Sequence, residues 1–364
     1  MQIKRLPLLT ALLLQFSFSF GQAIQNEKVN TSGAEAYFKI ASELGKVSDV
    51  NTISWQLLFQ TIPYQILIGS FIDTAVLKSH MQQVFASGFD QTSTPFSTEV
   101  NYHKEYKKNQ KELEIYIKLL HELNVVDSVK ALLNPFLPLR LQKDALFPIL
   151  FYLNYGSAEA TGNSGIVLND LLFSYKIDKF KFGLLAAHEA FHAVVSTAFD
   201  KKLKSDLDNS ATDLRLLYFL QSIAEEGIAD LIDKTLLLQT NSPLYNEVIQ
   251  LTKDDETLSI TLIKKLDSVL TLANRSEEVL LQYSGFSTLG SEFGKNGGHI
   301  PGRFMGNVIR KAGLLQTHIA EVEDPVSFIL TYNEAIKKDD IKYPCFSIES
   351  IQYLQKIKRK YWAE

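Results

Sequence analysis

Phe182-Gly-Leu-Leu-Ala-Ala-His188-Glu189-Ala190-Phe191-His192-Ala-Val-Val-Ser-Thr-Ala-Phe199 is the stretch around which the chain is organised. Apolar residues at Leu184, Leu185, Phe191, Val195 and Phe199 recur at helical spacing, and Asp178 offers an N-cap ahead of them. The spacing predicts one buried helix. His188 and His192 stand at i and i+4, so both imidazoles leave the helix on one face, close enough to share a metal ion, with Glu189 at the edge of that face. Polar groups buried on an apolar helix without partners are costly, and a metal supplies the partner. His121-Glu122-Leu123-Asn124-Val125 begins the same way but lacks the second histidine and lies in a charged segment. It reads as a solvated helix face.

The five residues His188-Glu189-Ala190-Phe191-His192 resemble the His-Glu-x-x-His motif of zinc metallopeptidases. That resemblance implies that both histidines bind zinc and that Glu189 takes a proton from zinc-bound water. Zinc then needs a third protein ligand and an open position. Downstream, Asp213 to Asp230 reads as another long helix, in which Glu225 and Glu226 interrupt an apolar stretch where unpartnered acids would be costly. Glu226-Gly-Ile-Ala-Asp230 resembles the Glu-x-x-x-Asp helix of thermolysin-like gluzincins. By that resemblance Glu226 is the third ligand, and Asp230 accepts a hydrogen bond from the free ring N–H of His188, fixing its tautomer. Glu225 competes for the ligand role. Glu226 is preferred because an acid follows it four residues later, whereas Ala229 stands four past Glu225. The separation of His192 from Glu226 exceeds that in thermolysin, which places an insertion in the polar 201–210 loop. The wider neighbourhood is also similar to uncharacterised zinc-dependent peptidases exported by Bacteroidota. The likeness to gluzincins covers only these two helices, so no substrate residues are carried over.

Lys4 and Arg5 precede an apolar run from Leu6 to about Phe20, followed by Gly21-Gln22-Ala23. This reads as a signal peptide over residues 1–22, too short to span a membrane and lacking a cysteine for lipid attachment. The expected mature chain is secreted or periplasmic, with no transmembrane segment. Loss of Lys4 and Arg5 takes the formal charge from -4 to -6, with the signs mixed along the chain, which argues against nucleic acid. Cys345 is the sole cysteine, so no internal disulfide forms, and the 46% hydrophobic residues must supply an ordinary core.

Working outward, residues 23–144 read as a helical subdomain with helices near 34–45, 52–68, 71–87 and 97–132. His80 and His103 have no spaced partners there and read as surface or packing residues. Residues 145–364 read as a zincin-like domain. Its first elements are two short strands of a small sheet, Ala145 to Tyr155 and Ile166 to Asp170, joined by the polar loop Gly156–Gly165. The fold expected is α+β, predominantly helical. By resemblance, Ile166 to Asp170 is the strand that edges the cleft and pairs with an extended substrate, although an ordinary core strand is an equal alternative.

Six of the chain's 18 glycines fall between Gly285 and Gly302, marking tight turns or close backbone approach. A helix then runs to Gly313, with Pro301 in its first turn and Gly302 and Gly306 spaced for close packing. His299 sits at its start, where the dipole favours the neutral ring. Gluzincins place a histidine or tyrosine across the cleft to steady an oxyanion, and His299, with Tyr283 behind it, is the candidate. A capping role for His299 stays open. Arg303 faces either a substrate carboxylate or a surface acid. His318, the Glu321–Asp324 turn and Lys356–Lys360 read as solvated helix faces. The leading function is a zinc peptidase acting on peptide or protein. The alternatives are a zinc hydrolase of another amide, or a non-catalytic binding protein on a zincin scaffold.

Overall fold

The computed structural model describes residues 28–46, 55–68, 72–87, 98–156, 160–163, 165–205, 207–208, 210–239, 255–283, 286–338 and 342–363. The expected signal peptide lies outside them. As expected, the architecture is predominantly helical with one small sheet. After β1 (Val29–Asn30) come α1 (Ser32–Leu44), α2 (Ile62–Leu67), α3 (Thr74–Phe85), α4 (Thr98–Lys108), α5 (Gln110–Glu122) and α6 (Val125–Leu133). Then follow β2 (Ile149–Leu153), β3 (Ala160–Asn163), β4 (Ile166–Asp170), α7 (Leu171–Asp178), α8 (Leu184–Lys202) and α9 (Thr212–Ile232). The remainder contributes α10 (Asp255–Arg275), α11 (His299–Lys311), α12 (Pro325–Lys338) and α13 (Ile348–Tyr361). A single apolar cluster runs from Ala34 on α1 to Tyr361 on α13. No described helix is long and apolar enough to cross a membrane.

The single helix expected near 97–132 is broken twice. Asn109 ends α4 by turning its side-chain Nδ2 onto the Glu105 carbonyl at 2.8 Å, and Asn124 adopts the left-handed conformation before α6. Asparagine favours both moves, because its short polar side chain competes with the backbone and tolerates positive φ.

The sheet has four strands in the order β1-β2-β4-β3, with β1, β2 and β4 parallel and β3 antiparallel to β4. β2 and β4 are buried along nearly their whole length, which explains their continuous apolar runs. β3 arises inside the stretch read as a loop, since Ala160-Thr-Gly-Asn163 carries no alternation that would reveal it. It lies at the edge, and β4 is flanked on both sides, so Ile166 to Asp170 has no free edge and is the core strand of the two alternatives. Gly162 explains the placement: a Cβ there would fall 1.8 Å from the carbonyl oxygen of Glu189 on α8. Only a glycine lets the strand lie directly on the motif helix.

α8 begins at Gly183, which takes φ +79°, and the Asp178 carboxylate at the end of α7 accepts the backbone N–H groups of Gly183 and Leu184. The anticipated cap therefore acts from the preceding helix. α9 and α11 cross at three glycines: a Cβ on Gly302 would meet the Ile223 carbonyl oxygen at 2.3 Å, and one on Gly227 would meet the Gly302 carbonyl oxygen at 2.6 Å. The pairing expected of Gly302 and Gly306 is thus present, with Gly227 as its counterpart.

His318, Glu323 and Asp324 are not solvated, each being at most 1% exposed. His318 packs at a tilt against Phe328 of α12, Glu323 is ion-paired with Arg140 and Lys202, and Asp324 with Lys358. Their partners come from distant segments, which local charge patterning does not reveal.

Candidate metal centre

α8 and α9 pack together through apolar faces, and this contact brings the polar residues of each into one buried cluster. The Nε2 atoms of His188 and His192 lie 3.2 Å apart, and each is 3.5 Å from Glu226 Oε2. Three ligands bound tetrahedrally to zinc at about 2.0–2.1 Å form a triangle with edges of about 3.3–3.4 Å. The observed triangle matches it. Glu226 Oε2 is buried and accepts no well-aligned hydrogen bond among the described residues, so its lone pairs are left for a cation.

Around the triangle stands a ring of supporting groups. Asp233, which follows the last residue of α9, brings Oδ1 to 3.2 Å from His188 Nδ1, while Asp230 Oδ1 is at 4.0 Å. On the other imidazole, Glu225 Oε2 is 3.2 Å from His192 Nδ1, and its other oxygen accepts from Ser196 Oγ and Gln221 Nε2, each at 2.9 Å. Glu225 and Glu226 thus divide the labour, one reaching the far nitrogen of a ring and the other the space between the rings. Burial alone would lower the His188 pKa, but Asp233 and Glu226 push it up to about 10. Among the described residues, the carboxylates of Glu226, Asp230 and Asp233 outnumber the fixed cations in their field, Lys234 and Arg303. Such a surplus of acid favours a bound cation.

Asp230 serves a third imidazole. His299 Nδ1 lies 3.0 Å from Asp230 Oδ1, 3.2 Å from Oδ2 and 2.9 Å from Glu226 Oε2, and Lys234 Nζ contacts Asp230 Oδ1 as well. Burial would lower the His299 pKa, but Glu226 and Asp230 outweigh it and raise it to about 9. The dipole expectation of a neutral ring is overturned, because two carboxylates at contact distance exceed a helix terminus. Arg303 is buried in the field of Asp230 and Asp233, so it meets internal acids.

Glu189 is 9% exposed, and no hydrogen bond or ion pair engages its carboxylate among the described residues. Tyr283 packs its ring against Phe293, centroids 5.0 Å apart, with no described contact to the cluster. The sequence reading missed Asp233 and Lys234 altogether. Asp233 forms the turn that ends α9, and Lys234 opens the next short helix, Lys234–Gln239, at i+4 from Asp230. An unexplained acid next to a lysine, three residues past Asp230, was the only available signal.

Among known proteins, a family model described as "Putative zinc dependent peptidase (DUF5700)" matches residues 55–340. No curated protein and no solved structure matches the chain.

Proposed function

The chain belongs to the DUF5700 family, described as zinc dependent, and from that premise we propose that it is an exported peptidase of the gluzincin kind. His188, His192 and Glu226 would hold the zinc, and the observation that carries this reading is their triangle of 3.2, 3.5 and 3.5 Å, whose Glu226 Oε2 corner makes no well-aligned hydrogen bond among the described residues. Zinc held there would supply a Lewis acid for the scissile carbonyl and would acidify the attacking water.

The protein's own groups do the rest. Glu189 removes a proton from the attacking water and delivers it to the leaving amine, a role that suits a carboxylate with no competing partner. His299, held at Nδ1 by Asp230 and Glu226, turns its Nε2 edge toward the oxyanion, a contact worth about 2.7–4 kcal/mol in comparable sites. Asp233 and Glu225 fix the tautomers of His188 and His192, so that both Nε2 atoms stay free to ligate. β3 offers its edge beside Glu189, where an extended peptide adds as a further strand.

Metal analysis of purified protein, with cleavage of a mixed peptide library, tests the reading. One zinc per chain and metal-dependent peptide cleavage are expected. Glu189→Gln should keep the zinc and lose hydrolysis by roughly 10²–10⁴-fold, since the amide cannot accept the proton. Unchanged turnover in that variant removes the mechanism.

A further inference from the structure

α9 ends at Ile232, Asp233 forms a one-residue turn and Lys234 opens a further short helix to Gln239, and both side chains reach the cluster. Asp233 accepts the Lys234 backbone N–H at 2.6 Å while its carboxylate faces His188. Lys234 sends its ammonium onto Asp230 Oδ1, and Nζ stands 3.4 Å from His299 Nδ1. The lysine side chain is only 15% exposed.

The groups around that ammonium are metal ligands by type. Glu226, Asp230 and His299 form a second set whose donor atoms all lie within 4.8 Å of one another, and it shares Glu226 with the zinc triangle. His299 Nδ1 is 2.9 Å from Glu226 Oε2 and 3.0 Å from Asp230 Oδ1, distances suited to a common ion. Two carboxylates and an imidazole suit zinc or manganese. In hydrolases with two metals the ions sit about 3.5–4 Å apart, and two ligand sets meeting at one carboxylate have the layout for such a pair. Yet the second set already has a cation on its central carboxylate.

We infer that Lys234 is a tethered stand-in for a second divalent ion: its ammonium fills the Asp230 and His299 corner of the site and keeps the metal centre mononuclear. This rests on the proposed zinc set. The lysine competes well because it is covalently attached one turn past Asp230, so it needs no association step to reach it. Displacing it would also leave a buried ammonium without its carboxylate, which is costly. The side chain holds Asp230 and, through it, the His299 ring, and acts as a positioning residue.

The test counts metal. Wild-type protein, Lys234→Met and Lys234→Arg are stripped with a chelator, loaded with Zn²⁺ or with Mn²⁺, passed through a desalting column, and assayed for metal per chain. Wild type and Lys234→Arg are expected to retain one ion, and Lys234→Met two. Lys234→Met combined with Asp230→Asn is expected to return to one. Circular dichroism and melting confirm that each protein is folded, and Lys234→Gln replaces Lys234→Met if the latter is not. A folded Lys234→Met or Lys234→Gln that retains one ion makes the contact a plain ion pair and overturns the inference, leaving the zinc reading intact. Wild type that retains no zinc overturns both.

Discussion

Gly306 on α11 lies so close to Gly227 on α9 that a Cβ on it would fall 2.2 Å from the Gly227 carbonyl oxygen. Gly227 directly follows Glu226, so this crossing sets how near His299 approaches the proposed metal ligands. Gly306→Ala gains up to about 1 kcal/mol of helix propensity, but a backbone clash of this depth costs more, typically about 1–3 kcal/mol for overpacking. The variant should be less stable in urea and should lose kcat ahead of zinc, as α11 moves off while His188, His192 and Glu226 remain. Unchanged stability would mean that the crossing yields more easily than its geometry implies.

Glu225 and Glu226 should separate cleanly in metal titrations. Glu226→Ala removes an oxygen from the triangle, as His188→Ala and His192→Ala each remove a nitrogen, and all three should bind zinc far more weakly. Glu225→Ala removes only the support of His192 Nδ1, and its affinity should fall by about 10–100-fold. Full occupancy in Glu226→Ala with loss in Glu225→Ala would exchange the two roles.

His299→Ala distinguishes chemistry from capping. An oxyanion contact forms chiefly in the transition state, so kcat should fall by roughly a hundredfold or more with KM little changed and zinc retained. A cap alone would cost about 1 kcal/mol of stability and leave kcat near wild type.

His318 should make the protein acid-sensitive. It is fully buried, neither ring nitrogen has a hydrogen-bond partner among the described residues, and burial lowers its pKa to about 3. The folded pKa lies below the unfolded value of about 6.5, so stability present at neutral pH is lost as pH falls through 6.5 toward 3, at about 1.4 kcal/mol per unit. His318→Phe should flatten that slope in denaturant titrations between pH 7 and 4. Asp170 acts in the opposite sense, since burial raises its pKa to about 7, and its contribution is lost as pH rises toward 7. An unchanged acid slope in His318→Phe would assign the sensitivity to other groups.

What the sequence disclosed depended on how locally each feature was encoded. His188, Glu189 and His192 are legible because i and i+4 share a face whatever the tertiary fold. Glu226 is legible because an acid among Ala224, Ile228 and Ala229 demands a partner. Gly302 and Gly306 announced a close contact, but only the fold supplied Gly227 as the other side. β3 was hidden, since Gly162 acquires its meaning from the carbonyl oxygen of Glu189. His318 was hidden for a similar reason: nothing around it in the chain marks Phe328 as its cover.

The break at Asp233 also sets where the gene can change length. One residue inserted between Asp230 and Asp233 would rotate everything beyond it by about 100° around the helix axis. His188, His192, Glu226 and Asp230 would keep their places, but the carboxylate beside His188 and the ammonium beside Asp230 would both swing away. The connection from the end of α8 at Lys202 to the start of α9 at Thr212 can absorb such a change, because added length there leaves the register within both helices intact. Descendants of this sequence should therefore vary in length between the two helices and hold a fixed count from Glu226 to Lys234.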